Sequence, residues 1–217
     1  LSSCTYAVRL ADDNALTMEY KQRGKMLTQL IEAGLALYPD SAAVYVPASG
    51  RLMTAAQVRE NPARGGDRFL YLCVNTRLFS ISGTSSDMMV DTVGLYLLGL
   101  PDIQYHFHSL NPNKVMKHAY SVASLLYSVG AVMKSGETID GMDNYGSPEI
   151  RWPFQYEQAL IEPPRVVMAI TAGEYAVEKK KDAKRPSFFN PENPLTADRY
   201  GNRDARGYSM YPHSGGR

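Results

Sequence analysis

Beyond Glu178 the sequence all but stops supplying aliphatic side chains, and this break constrains the fold more than any other feature. Lys179, Lys180, Lys181, Lys184 and Arg185 open a stretch dominated by Pro, Asn, Gly, Arg and Tyr. Such a segment has too little apolar surface to offset the conformational entropy that a fixed shape costs, so it cannot build a core. The core-forming residues therefore lie upstream. The chain divides into an α+β domain over 1–175 and a basic, polar, extended tail over 176–217. Phe188, Phe189, Tyr200, Tyr208 and Tyr211, interleaved with arginines, are the residue types that anchor an extended segment on a partner protein, the alternative being a lattice contact or a tail folded back on its own domain. The lysine cluster could touch phosphate or lipid head groups, although a charge run beside a tail is more often a solvated linker.

With 217 residues the chain can bury a sizeable core without a metal or a disulfide. Its 23 Lys and Arg nearly cancel 22 Asp and Glu, which disfavours nucleic acid or an anionic membrane as the main partner. The longest uncharged apolar run, 119–133, is about fifteen residues, short of the roughly twenty that span a bilayer. It reads as a buried helix running into a strand. Cys4 and Cys73 lie in apolar, strand-like runs rather than at motif spacing, so both are expected as buried free thiols. That implies a reducing intracellular compartment, with pairing of the two cysteines in an oxidising organelle subspace as the alternative. The opening Leu1-Ser-Ser-Cys lacks an initiator Met, which fits processing, for example removal of an organellar (mitochondrial) targeting segment.

Periodicity then predicts the elements. Residues 5–10 alternate as a strand, and Asp12, Asp13 and Asn14 offer caps for a helix reaching Leu37, with Met26, Leu27, Leu30, Ile31 and Gly34 on its inner face. Tyr38-Pro39-Asp40 ends that helix, and 42–46 reads as a buried strand, completing a β-α-β unit. A short helix follows from Thr54, and 69–81 reads as a long strand or hairpin. Ser85 and Ser86 are positioned to cap a helix over 87–98 with Met89, Val93, Tyr96 and Leu97 on one stripe, before a strand over 103–108. The two Pro-Asp turns at 39–40 and 101–102 suggest a weak internal duplication. Asn111 and Pro112 supply a cap and an N1 proline for a helix facing inward with Val115, Met116, Ala119, Val122, Ala123 and Leu126. Gly130 ends it; a short strand, a polar loop to Gly146 and a strand over 166–171 complete a mixed sheet with helices mainly on one face and repeated β-α-β units.

Candidate chemistry is sparse. His106 and His108 stand at the i, i+2 spacing that puts two imidazoles on one strand face, a metal-ligand geometry. A catalytic zinc needs a third protein ligand; His118 is the nearest, and packed or solvent-facing histidines are the simpler reading. No nucleophile elbow or Cys–His signature exists. The 80–86 segment precedes a helix and could receive an anion on its backbone, but with one Gly and no Lys it is no P-loop, and ordinary capping suffices. Asp140 with Asp143, and Glu157 with Glu162, are weak acid pairs in loop-like sequence. Trp152 reads as a core or domain-edge anchor. No catalytic, cofactor-binding or metal-ligating residue is assigned.

Three stretches nonetheless resemble a known family: Val44-Tyr-Val-Pro-Ala-Ser-Gly, then Asp91-Thr-Val-Gly-Leu with Gly99-Leu-Pro-Asp-Ile-Gln-Tyr-His-Phe, and Tyr156-Glu-Gln-Ala-Leu-Ile-Glu-Pro-Pro-Arg-Val-Val. Together they look like the bacterial domain-of-unknown-function family 4261, over roughly 7–171. The resemblance implies an α+β domain with no established activity and hence no catalytic residues to carry over. The appended tail departs from the family pattern and suggests a domain recruited to a new setting.

The expected function is that of a non-catalytic accessory subunit of a larger multiprotein assembly, contacting its protein partners through the tail, with no cofactor. Two alternatives stand beside it: a metal-assisted hydrolase built on His106 and His108, and a standalone bacterial immunity-type binding protein.

Overall fold

The computed structural model describes residues 4–12, 17–81, 86–147 and 149–177. The expectations placed on the tail beyond Val177, on the two caps Asp13 and Asn14, and on 82–85 fall outside these residues, while Ala176 and Val177, assigned to the tail, pair with the end of the 102–107 strand.

Glu19, not Asp12, caps the first helix, α1 (Tyr20–Leu37), by accepting the Gln22 N–H at 2.9 Å. Asp12 instead pairs with Arg23 at 3.1 Å. The buried stripe of α1 is Gly24, Thr28 and Leu35, with Leu27 and Ile31 packed beside it, a face rotated from the expected one. Tyr38 ends the helix before Pro39, as the proline demands. The next residues form a hairpin, β1 (Ala43–Val46) with β2 (Arg51–Thr54). Val44 and Met53 turn toward the core, while the cross-strand pair Tyr45 and Leu52 stays outward, 58% and 51% exposed. Thr54 and Gln57 make a reciprocal capping box for α2 (Ala55–Glu60). A further helix, α3 (Gly65–Cys73), leads into the main sheet.

Among the described residues that sheet has six strands: β3 (Asn75–Ser80), β4 (Met88–Val93), β5 (Asp102–Phe107), β6 (Thr138–Asp140), β7 (Arg151–Gln158) and β8 (Val166–Ile170). Their spatial order is β3-β4-β5-β8-β7-β6, and only β5 and β8 pair in parallel. Between β5 and β6 runs α4 (Pro112–Val129), capped by Asn111 with Pro112 at its first turn. Val115, Ala119, Val122, Ala123 and Leu126 are buried on its inner face, which lies across β3, β4 and β5; α3 packs on α4, and α1 on α3. Trp152, Phe154 and Tyr156 alternate inward from β7, and Trp152 meets Tyr105 of β5. Each such burial removes a large apolar surface from water and contributes about 1.5–3 kcal/mol. The outcome is an α+β domain with a mixed sheet and its helix layer on one face.

Several expectations give way to tertiary context. Residues 5–10 join no strand and are exposed, so no first β-α-β unit forms, and Cys4 is an exposed thiol. Cys73 is buried, and desolvation pushes its thiol up to about 12. The first half of 69–81 is α3 rather than strand. The stretch expected as a helix over 87–98 is β4 followed by a short 3₁₀ turn (Leu95–Leu98). The Pro-Asp turns precede strands in different sheets, which removes the basis for a duplication. No strand follows Gly130 directly; β6 starts at Thr138, and β7 was not anticipated. No helix among the described residues is long and apolar enough to cross a membrane.

Candidate functional site

The densest set of charged side chains sits where β4, β5 and the start of β8 converge. After β4 the chain turns sharply at Gly94, whose φ of +142° is open to glycine alone. This turn gathers the N–H groups of Gly94, Leu95 and Tyr96 around the Asp102 carboxylate at 3.2, 3.1 and 3.4 Å. The Thr92 hydroxyl adds a fourth bond at 3.0 Å while accepting the Ile103 N–H at 2.9 Å. Pro101 stops the preceding turn and delivers Asp102 as the first residue of β5.

Arg165, the residue before β8, reaches this point from the strand beside β5. Its Nη2 donates to Asp91 at 2.6 Å and to the Thr92 carbonyl at 2.9 Å. Its Nη1 donates to the carbonyls of Ile161 and Pro163, and its Nε lies 3.3 Å from Asp102. Arg77 of β3 completes the cluster with two bonds to Asp91 at 2.9 and 2.5 Å. Beside it, the Gln104 amide oxygen accepts the Leu160 N–H at 3.0 Å. The 159–165 loop is thereby pinned across the sheet face opposite α4. Asp91 and Asp102 have no exposed side-chain surface and Arg165 has 1%, whereas Arg77 retains 24%. Full burial pushes the Asp102 carboxyl up from its ordinary value, and Arg165 and the surrounding donors pull against it. Two acids and two guanidiniums balance formally, and Asp91 and Asp102 are enclosed. They clasp β3, β4, β5 and the loop together, and substrate cannot reach either carboxylate.

His106 is the last residue but one of β5 and His108 follows its end, with Phe107 between them bridging Ala176. His108 donates its backbone N–H to Tyr175 at 2.8 Å, and its Nδ1 lies 3.1 Å from Ser109 Oγ. His118 is fully engaged elsewhere: Nε2 donates to the Asp140 carbonyl at 2.8 Å, leaving Nδ1 to accept the Tyr105 hydroxyl at 2.7 Å. Its ring packs on Trp152, with centroids 5.3 Å apart. Among the described residues no group of three or more His, Cys, Asp or Glu is placed to hold a metal.

Burial holds His118 below its ordinary value of 6.5. The unfolded chain therefore takes up the proton first, so this residue's contribution is complete above about pH 6.5 and is lost as the pH falls below it. A His118→Phe variant is expected to lose less stability than the wild type between neutral and mildly acid pH. Unfolding midpoints across that range check this, and identical slopes would remove the assigned role.

The acid pairs do not form. Asp140 pairs with Arg151. Asp143 organises its own turn, accepting from the N–H groups of Tyr145, Gly146 and Ser147 and from the Ser147 hydroxyl, which holds it down at about 2. Glu157 lies on β7 and Glu162 in the loop before a cis Pro163. Trp152 is a core anchor, 1% exposed. Sequence reading missed the clasp altogether, although two of its members lie inside the Asp-Thr-Val-Gly and Gly-Leu-Pro-Asp stretches.

Fold and site together define an α+β domain in which two internal acids, Asp91 and Asp102, are joined by one arginine. Residues 91–171 match the family described as "Domain of unknown function (DUF4261)". The matched segment runs from Asp91 to Thr171 and so contains Asp91, Asp102 and Arg165, leaving Arg77 and the hairpin outside it. No curated protein and no solved structure matches the chain.

Proposed function

We propose that this chain is a non-catalytic accessory subunit of a larger multiprotein assembly, its domain serving as a packing module and its 176–217 segment as the partner-binding element. The observation that carries this reading is the enclosure of Asp91, Asp102 and Arg165, which commits these two acids to holding strands together rather than to chemistry. The composition of the tail supports the second half: aromatics interleaved with arginines, and almost no aliphatic residue. A hydrolase built on His106 and His108 would need a third ligand, and His118 already has both ring nitrogens engaged.

Deleting 186–217 is expected to release the subunit from its partners while leaving the unfolding midpoint of the domain unchanged. Co-purification from the native source measures the first and urea denaturation the second. Full retention of partners by the truncated chain would refute the tail's role. Stoichiometric zinc, iron or manganese, lost on changing both His106 and His108 to Ala, would refute the non-catalytic reading.

A further inference from the structure

Between the C-terminal half of α1 and the link from α2 to α3 lies an open cleft of about 510 Å³. Arg59, Arg64 and Arg68 line it together with Glu32, against an apolar wall that includes Leu35 and Val58. Three guanidiniums against one carboxylate give this small volume a formal charge of +2, in a chain whose total is only +1.

The three arginines are committed to different degrees. Arg68, with its side chain only 10% exposed, is engaged through all three nitrogens: Nε bonds Glu32 at 2.8 Å, Nη1 the Asn61 carbonyl at 3.3 Å and Nη2 the Val58 carbonyl at 2.9 Å. Arg59 spends Nη2 alone, on the carbonyls of Pro39 at 2.7 Å and Leu35 at 3.4 Å. Arg64 spends Nη1 alone, on the carbonyls of Pro62 at 3.0 Å and Ala63 at 2.9 Å. The remaining nitrogens of Arg59 and Arg64 make no hydrogen bond among the described residues. Each fork is thus tethered through one nitrogen and has donors to spare, the arrangement in which guanidiniums bind an oxyanion with little further ordering cost. Neutralisation of Glu32 by Arg68 keeps the acid from repelling an anion at full strength.

We propose that this cleft binds the phosphate group of a small phosphorylated ligand. A phosphomonoester dianion cancels the +2 of the cleft, whereas a single carboxylate cancels half of it. The apolar wall offers a surface for the organic part, and the volume admits a small molecule. This assignment is independent of the assembly role and uses none of its residues.

The test is a titration of the full chain with inorganic phosphate at constant ionic strength, followed by calorimetry and ³¹P line width, with acetate in a parallel arm. Saturable phosphate binding is expected, with acetate much weaker. Arg64→Gln should weaken phosphate binding about tenfold, the loss of one charge-assisted contact. Because Arg64 bonds only carbonyls of its own loop, this change spares the fold. Glu32→Gln should move binding the other way by removing the one like charge, which a merely structural effect would not do. Absence of saturation, equal binding of acetate, or unchanged affinity in Arg64→Gln would each overturn the proposal.

Discussion

Arg165→Met is expected to unfold at a clearly lower urea concentration than the wild type, by the equivalent of about 3–5 kcal/mol, with the denaturant slope unchanged. The magnitude follows from what the substitution leaves behind. Asp91 and Asp102 have no exposed side-chain surface. Without the guanidinium, Asp102 keeps a negative charge inside the protein with only neutral donors around it, and Asp91 keeps Arg77 alone. Removing one partner of a buried ionic cluster costs far more than the cluster contributes as a whole, because the stranded charge retains its desolvation penalty. The carbonyls of Ile161 and Pro163 lose their donor as well, so the 159–165 loop loosens.

A double-mutant cycle sharpens the expectation. Arg165→Met combined with Asp102→Asn should lose less than the sum of the single changes, by about 0.5–3 kcal/mol, since the second change removes the stranded charge. Arg77→Met should cost less than Arg165→Met, because with 24% of the Arg77 side chain exposed water can replace part of what it donates. A loss below about 1 kcal/mol in Arg165→Met would show that the clasp does not hold the sheet, since that is the worth of an exposed pair.

The second large effect is expected at Gly94. Gly94→Ala places a methyl group 2.3 Å from the Cys73 carbonyl oxygen and 2.8 Å from Val74 Cα, at a φ of +142°. The obstructing atoms are backbone at the end of α3, so no side chain can swing aside. Backbone strain of about 1–3 kcal/mol adds to about 1–3 kcal/mol for forcing atoms into a filled space, giving a loss of about 2–6 kcal/mol. The amides that hold Asp102 move with the turn, which ties this change to the clasp. Gly50→Ala separates the two contributions, because Gly50 has φ +66° and nothing within 4 Å of a built Cβ. It should cost only the left-handed penalty of about 1–2 kcal/mol. Equal losses at the two positions in thermal unfolding would mean that crowding against α3 contributes nothing.

Local signals show how far the sequence could be followed. The helix from Pro112 was legible because a cap, an N1 proline and a long apolar stripe agree with one another. β5 and β8 were legible as β-prone runs bounded by Pro or loop residues. β4 was misread because Met89 and Val93 also fit a helical stripe. In the fold it is covered on both faces, so period-two alternation never develops and Asp91 and Thr92 are buried beside Val90. The start of α3 hid behind the β-prone run that follows it, and Gly65 and Gly66 argue locally against a helix. Gly66 is there for space: a Cβ would come 2.5 Å from the Tyr127 ring. β7 could have been found. Trp152, Phe154 and Tyr156 alternate with Arg151, Pro153 and Gln155, and only the proline counts against a strand.

By itself the sequence determined an α+β domain, the helix over 112–129, the strand after Pro101 and the end of core-forming composition near residue 178. These features rest on interactions between near neighbours in the chain, whose spacing can be read directly. The tertiary structure alone decided the order of the strands, the buried joining of Asp91 and Asp102 to Arg165 and the gathering of Arg59, Arg64 and Arg68 around one cleft. Arg165 lies 74 positions from Asp91, and no local preference carries information over that distance. Only the pairing of β4 with β5 and of β5 with β8 in one sheet brings such residues together.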